Sequence, residues 1–158
     1  MDPREKLYND IKAAIEEKVG DIQHIDLWNE NVAFVDEDSE WLRPAVFVEF
    51  GTISWEPMKH TDYGKYMRGS GIIKLHLVTD WNDEAYHASF ELGESIWEAL
   101  SAIESCSDYQ VNYPFATDTN HSHMELLENI DAFKVKYLKV WGGFSIESKE
   151  DLFDCVSP

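Results

Sequence analysis

The chain contains little of what marks secreted, membrane or disulfide-rich proteins. Its 158 residues include only two cysteines, Cys106 and Cys155, which is too few for a disulfide framework. No apolar run approaches the roughly 18 residues that a membrane-spanning helix needs, and no charged-then-apolar signal segment opens the sequence. We therefore expect a protein that is made and used in a reducing cytoplasm without membrane contact. A bridge between the two cysteines is the alternative left open.

Basic residues are also scarce. The chain has 13 Lys and Arg against 31 Asp and Glu, which gives a formal net charge of −18 at pH 7. A surface with this charge repels phosphate groups. General binding to the backbone of nucleic acids is therefore disfavoured.

The two signs of charge are separated along the chain. Residues 80–131 contain 12 acids and no Lys or Arg, and residues 20–41 contain 7 acids and no base. Seven of the 13 bases form two other blocks, which are Lys59, Lys65, Arg68 and Lys74, and then Lys134, Lys136 and Lys139. Head-to-tail packing of identical copies would set a basic block against an acidic block. The simpler alternative is an ordinary solvated acidic surface.

Catalytic signatures are missing as well. The sequence has no G-x-S-x-G elbow, and residues 64–71 lack the glycine pattern of a phosphate loop. His121 and His123, followed by Glu125, resemble a metal-ligand set, but they lack the i, i+4 spacing of hydrolase histidines and have no cysteine ligand nearby. We expect an exposed polar loop at these histidines, and we expect neither an enzyme nor a bound cofactor.

The chain does contain enough apolar surface to fold. Apolar residues make up 44% of the sequence and aromatic residues 13%, which is ample to offset the entropy lost on ordering. A length of 158 residues is typical of a single domain. We therefore predict one domain over residues 1–158, with a frayed tail at 147–158.

The spacing of apolar residues predicts helices and strands in a definite order. Asp2 is placed to cap a first helix, with Pro3 at its first position and Gly20 after its end. Strands are predicted at 45–50, 71–79, 109–115 and 132–141, and residues 21–28 are predicted to form a short strand or an extended arm. A second helix follows Asn82 or Asp83. The order of helix, strands, helix and strands predicts an α+β fold, in which a mainly antiparallel sheet has helices packed on one face.

The second helix is predicted to be acidic on one side and apolar on the other. Its apolar residues recur at steps of three or four and are Ala85, Ala88, Leu92, Ile96, Ala99 and Ile103. The opposite side carries Glu84, Glu91, Glu94 and Glu98. This helix is expected to lie with its alanines against the sheet and its carboxylates in solvent.

A loop of about twenty residues, 51–70, is predicted between the strands at 45–50 and 71–79, and so long a hairpin connection is often functional. Its aromatic residues would be poorly covered in a free loop, so we predict that they contact a partner: Trp55, Tyr63 and Tyr66. Its bases, Lys59, Lys65 and Arg68, are predicted to dock on the acids Glu91, Glu94 and Glu98 of a neighbouring copy. The alternative places the aromatic residues in the core or at the edge of the sheet.

The arrangement of these segments resembles the tail terminator, or tail-completion, proteins of long-tailed bacteriophages. The resemblance covers most of residues 3–141 and comprises an N-terminal amphipathic helix, the strand at 43–50, a long loop, the strand at 72–79, a helix, and a closing strand at 133–140. Its most specific part is 73–100, in which a strand reading I-x-L-H-L-V is followed by a short acidic turn and a helix that ends on I-W-x-A-L.

The resemblance implies an assembly protein without catalytic residues. Members of this family form a ring, typically a hexamer, that caps the finished tail tube and offers a surface to the head connector. DNA would pass through the lumen without specific binding, and the protein would be found in the bacterial cytoplasm during assembly and then in the tail or neck of the virion. This chain departs from the family pattern in its acidic segment at 21–40, its long loop and its 121–130 stretch.

One alternative belongs to the same phage neck, and two belong to other classes. A head-closure or connector protein of the phage neck has a similar small fold. An acidic decoy that mimics DNA and blocks a nucleic-acid enzyme would use the same net charge. A small metal hydrolase would use His121 and His123.

Overall fold

A computed structural model describes residues 2–29, 41–58, 66–80, 85–104, 106–120 and 126–140. The elements in these ranges are α1 (Pro3–Lys18), β1 (His24–Leu27), β2 (Ala45–Phe50), β3 (Ser54–Pro57), β4 (Tyr66–Asp80), α2 (Ala85–Ser101), β5 (Tyr109–Asn120) and β6 (Leu126–Val140). The strands form one sheet in the order β1-β2-β4-β6-β5, and β3 also pairs with β4. Only β1 and β2 are parallel among these strands. The predicted α+β class and element order are confirmed.

The first helix begins where its capping residues predict. Asp2 is the N-cap, Pro3 takes the first helical position, and the Asp2 Oδ1 accepts a hydrogen bond of 2.8 Å from the backbone N–H of Arg4. This bond satisfies one of the amide donors that a helix leaves unpaired at its start. The apolar face of the helix is fully buried at Leu7, Ile11 and Ile15.

Alternation of side chains gives the sheet two different faces. The face that packs on α1 and α2, here called the helix face, carries the larger core, with Val46, Val48, Ile73, Leu75, Leu77, Phe133, Val135 and Tyr137. The other face, here called the second face, carries a smaller apolar cluster, with Trp28, Trp41, Ala45, Phe47, Val78 and Leu126. Strand β2 is buried on both faces, which explains its nearly continuous apolar sequence.

Several strands are longer than predicted, and the predicted long loop is partly strand. Residues 54–57 and 66–70 of the predicted long loop pair with each other as β3 and the start of β4. Residues 117–120, which follow the strand predicted at 109–115, extend β5, and β6 begins at Leu126, before the strand predicted at 132–141. All four residues of β3 are exposed, so its sequence carries no apolar alternation from which a strand is predicted. The loop prediction for 51–70 is therefore wrong at residues 54–57 and 66–70.

The buried face of α2 also differs from the prediction in one respect. Ala88 is exposed, and Ser89 is fully buried in its place, beside Ile96, Ala99 and Leu100. Ser89 is buried because its hydroxyl oxygen accepts a hydrogen bond from Asn129 of β6, at 2.5 Å. A hydroxyl with a hydrogen-bond partner can be buried at low cost, and periodicity of apolar residues does not reveal such a pair.

Candidate functional site

The exposed side of α2 is acidic and partly aromatic. Glu91, Glu94 and Glu98 are all exposed, and residues 85–101 contain no Lys or Arg. Phe90 and Trp97 lie among them with 54% and 40% of their surfaces exposed. Large aromatic side chains exposed within a charged surface are typical of contact sites. The three glutamates therefore form a negatively charged surface, as the sequence predicted. The two aromatic residues beside them were not predicted.

A groove lies between α2 and the strands β5 and β6 on the helix face. It has a volume of about 310 Å³ and is lined by Ser89, Phe90, Gly93, Glu94, Trp97, Thr117, Thr119, Asn129 and Asp131. Only Glu94 of these residues was a sequence-predicted contact. The groove joins elements that are distant in the sequence, so local patterns carry no signal for it. We call it the α2 groove.

The second face of the sheet carries a cluster of lysines. Lys134 and Lys136 alternate with buried residues of β6, and Lys74 of β4 lies in the same region of the sheet. Ile72 and Phe115, exposed by 38% and 43%, lie among them. The ammonium of Lys134 lies 5.4 Å from the ring centroid of Phe115. We call these five residues the basic patch.

Sequence spacing had indicated part of the basic patch. Lysines that alternate with apolar residues along the last strand must share one face, and that face must be the one away from the core. The contribution of Phe115 comes from pairing between β5 and β6, across two register shifts between Val111 and Ala116. These shifts in strand register cannot be predicted from a sequence pattern.

The predicted loop residues are only partly within the described structure. Trp55 lies on β3, 39% exposed, with its ring centroid 6.3 Å from that of Tyr137. Tyr66 begins β4 and is half-buried. The Arg68 guanidinium donates to Glu56 of the neighbouring β3, so this base pairs within its own chain. Lys59, Tyr63 and Lys65 lie outside the described residues, and their docking role stays a prediction.

A buried histidine with two carboxylate partners lies on the second face. The His76 Nδ1 is 2.6 Å from the Glu128 Oε1, and the His76 Nε2 is 3.3 Å from the Glu49 Oε2. The imidazole also stacks on the Trp28 indole, with centroids 3.8 Å apart and planes 1° from parallel. His76 and Glu128 are 4% and 3% exposed. The sequence does not single out these residues, because alternation marks position 76 only as one side of a strand.

The helix face also holds two buried tyrosines. The Tyr109 hydroxyl donates a hydrogen bond of 2.6 Å to the Asp10 Oδ2, which joins β5 to α1. Burial, reinforced by this bond, raises the pKa of Tyr109 above its usual range. Burial also raises the pKa of Tyr137, whose hydroxyl has no hydrogen-bond partner among the described residues. These tyrosines therefore act as neutral packing groups.

Metal binding and membrane insertion receive no support from the described ranges. Within them, no three His, Cys, Asp or Glu side chains cluster as metal ligands. The weak metal candidates His121 and His123 lie outside the described residues, as does Cys155. No helix in the described part of the chain is long and apolar enough to cross a membrane.

Comparison with known proteins gives likenesses in structure alone. No protein-family model and no curated protein matches this chain. Among solved structures, a chain described as "Virion of native gene transfer agent (GTA) particle" is similar over 84% of this chain and 95% of that chain, at 10% sequence identity and a TM-score of 0.46. We draw no conclusion about function from a likeness of this degree.

Proposed function

We propose that the chain is a structural assembly protein of a phage-like virion. It closes into a homo-oligomeric ring, capping the tail tube at the head–tail junction and presenting a surface to the head connector. The segment order over residues 3–141 supports this proposal through its resemblance to tail terminators. In this proposal the chain is not an enzyme, requires no cofactor, and moves from the bacterial cytoplasm into the virion.

The proposal of a ring rests on the separation of positive and negative charge between two faces of one protomer. Exposed carboxylates lie on α2, outside the helix layer, while the basic patch lies on the second face of the sheet. Surfaces of opposite charge on opposite sides of a protomer favour head-to-tail contact between identical copies. Such heterologous contacts generate a ring when the rotation between neighbours closes.

The high net negative charge suits the inside of a DNA conduit. A lumen that passes DNA must not bind it, and a wall with excess carboxylates repels the phosphate backbone. The chain has 18 more acids than bases, so the basic patch can be buried between subunits while the remaining surface stays acidic. In this arrangement the lysines serve assembly and do not meet DNA.

The DNA-mimic alternative makes a different prediction. A decoy would present its acidic surface to a basic enzyme and would bind that enzyme in a salt-sensitive manner without assembling with itself. The basic patch favours self-association over the decoy, because clustered lysines would weaken an imitation of DNA. A head-closure protein of the phage neck is the alternative within the same class, and its partners would distinguish it from a terminator.

Native mass spectrometry combined with negative-stain imaging tests the proposal. We expect one dominant closed oligomer, a hexamer of the 18.3 kDa chain with a mass of about 110 kDa, and images of rings with a central opening. Open chains of variable length, or a monomer at every concentration, would contradict ring closure. A variant with Glu in place of both Lys134 and Lys136 is expected to remain a folded monomer, and a variant with Glu in place of Lys12 on α1 is the matched surface control.

A further inference from the structure

The α2 groove combines aromatic walls with a polar floor. Phe90 and Trp97 project from α2 on either side of Gly93, where nothing lies within 4 Å of the position that a Cβ would take. Gly93 therefore leaves the centre of the groove unfilled. The exposed aromatic walls offer an apolar surface that a partner can cover.

The floor of the groove includes a buried carboxylate. Asp131 is 6% exposed, and its Oδ1 accepts a hydrogen bond of 2.6 Å from the Thr117 hydroxyl. A buried carboxylate beside apolar walls favours a cationic donor. Glu94 at the rim adds a second negative charge.

A lysine side chain matches this combination of groups. Its methylene stem can pack between Phe90 and Trp97, while its ammonium reaches the Asp131 carboxylate. The groove volume of about 310 Å³ is sufficient for one long side chain. An apolar side chain would offer the floor carboxylate neither a hydrogen bond nor a positive charge, and an anionic side chain would be repelled by it.

Unpaired lysines are available on the opposite side of the same strands. Lys134 is exposed and Lys136 is half-buried, and neither has a carboxylate partner among the described residues. Both belong to β6, whose helix face supplies Asn129 and Asp131 to the groove. Copies packed back to front through β5 and β6 would therefore place the basic patch of one against the groove of the next.

We propose that the α2 groove is the subunit contact site and that it binds the Lys134 side chain of a neighbouring copy. Lys136 lies beside it and faces Glu94 at the rim. This inference rests on the proposed ring function and specifies its interface. The contact is heterologous, since groove and patch are different surfaces of one protomer, as ring closure requires. Ile72 and Phe115 of the patch cover the aromatic walls.

A charge exchange tests this contact. Variant E94K reverses the groove rim, and variant K134E/K136E reverses the patch, so each variant alone presents like charges at the contact. We expect each to self-associate at least tenfold more weakly than the wild type. An equal mixture of the two restores opposite charges at every interface and is expected to recover oligomers of the wild-type mass by light scattering.

A groove-filling variant provides a test that does not depend on charge. G93L places a side chain in the open centre of the groove and is expected to weaken self-association at least tenfold while the monomer stays folded by circular dichroism. A88L adds the same side chain at an exposed position of α2 outside the groove and is the matched control. If E94K, G93L and K134E/K136E all assemble as well as the wild type does, the proposed groove contact is wrong, whereas the ring proposal is unaffected. If the wild type stays monomeric, the ring proposal fails as well.

Discussion

His76 on β4 and Glu128 on β6 form a buried pair across two neighbouring strands, with 2.6 Å between Nδ1 and Oε1. The pair lies on the second face, where Trp28 covers the imidazole and Asn120 donates a hydrogen bond of 3.3 Å to the other Glu128 oxygen. Burial of a carboxylate is costly unless its oxygens are paired. This face of the sheet is therefore held by a polar network beside a small apolar cluster.

Loss of the imidazole is expected to destabilise the fold. The variant H76L leaves the Glu128 carboxylate buried without its closest partner, so the free energy of unfolding should fall by about 3 kcal/mol in urea denaturation. The control E49Q changes the partner whose side chain is 34% exposed, and it should cost less than about 1 kcal/mol. Equal losses of unfolding free energy in the two variants would show that the buried pair contributes no more to stability than the exposed contact. The double variant H76L/E128L should recover part of the loss, because no charge then stays buried.

The two buried tyrosine hydroxyls should respond oppositely to removal. Y109F breaks the bond to Asp10 and should lower the free energy of unfolding by about 1 kcal/mol. Y137F removes a buried hydroxyl that has no partner among the described residues, so it should be neutral or stabilising by up to about 1 kcal/mol. Chemical denaturation of both variants and the wild type tests this prediction. A larger loss of unfolding free energy for Y137F than for Y109F would contradict the assignment of hydrogen-bond partners.

Stability should decline at alkaline pH because of the same two tyrosines. Their pKa values are raised in the folded chain, chiefly by burial, so folding favours the neutral phenol. The stabilisation is complete below the unfolded tyrosine pKa of about 10 and is lost as the pH rises from there toward the folded pKa values. Thermal unfolding from neutral pH upward should show the decline, and Y109F/Y137F should make it shallower. An identical pH profile for the double variant would contradict this origin.

Two glycines should respond differently to the same substitution. A Cβ at Gly69 would lie 2.9 Å from the Ile53 Cγ2 and from the Trp55 ring, so G69A should displace these side chains and cost about 1–3 kcal/mol. The matched variant G93A meets nothing within 4 Å and removes a glycine from the middle of α2. It should stabilise the monomer by about 0.5–1 kcal/mol. Comparable effects on urea unfolding would contradict the close packing at Gly69.

The fold was predictable where one face of an element is apolar. The cap at Asp2, the stripe from Leu7 to Ile15 and the alternation of Phe133, Val135 and Tyr137 each follow from local physics. Strand β3 was not predicted because all of its residues are exposed. It is ordered by its pairing with β4. Pairing between distant segments is not encoded in local periodicity.

The candidate site was predictable only in part, for the same reason. Alternation identified the exposed lysines of β6, and the helical period identified the acids of α2. The α2 groove depends on Asp131 and Thr117 meeting α2 across the sheet, and Asp131 occupies a helix-face position that the pattern would assign to an apolar residue. A buried carboxylate that interrupts an apolar alternation is the one signal that sequence analysis could have used.

The most direct test of the account is the solution mass by light scattering across a range of protein concentrations, at about 0.05 M and about 1 M salt. Oppositely charged faces predict a single closed oligomer near six copies at low salt, with the distribution shifted toward the monomer at high salt. A monomer at both salt concentrations, up to the highest protein concentration reached, would contradict assembly through the acidic and basic faces.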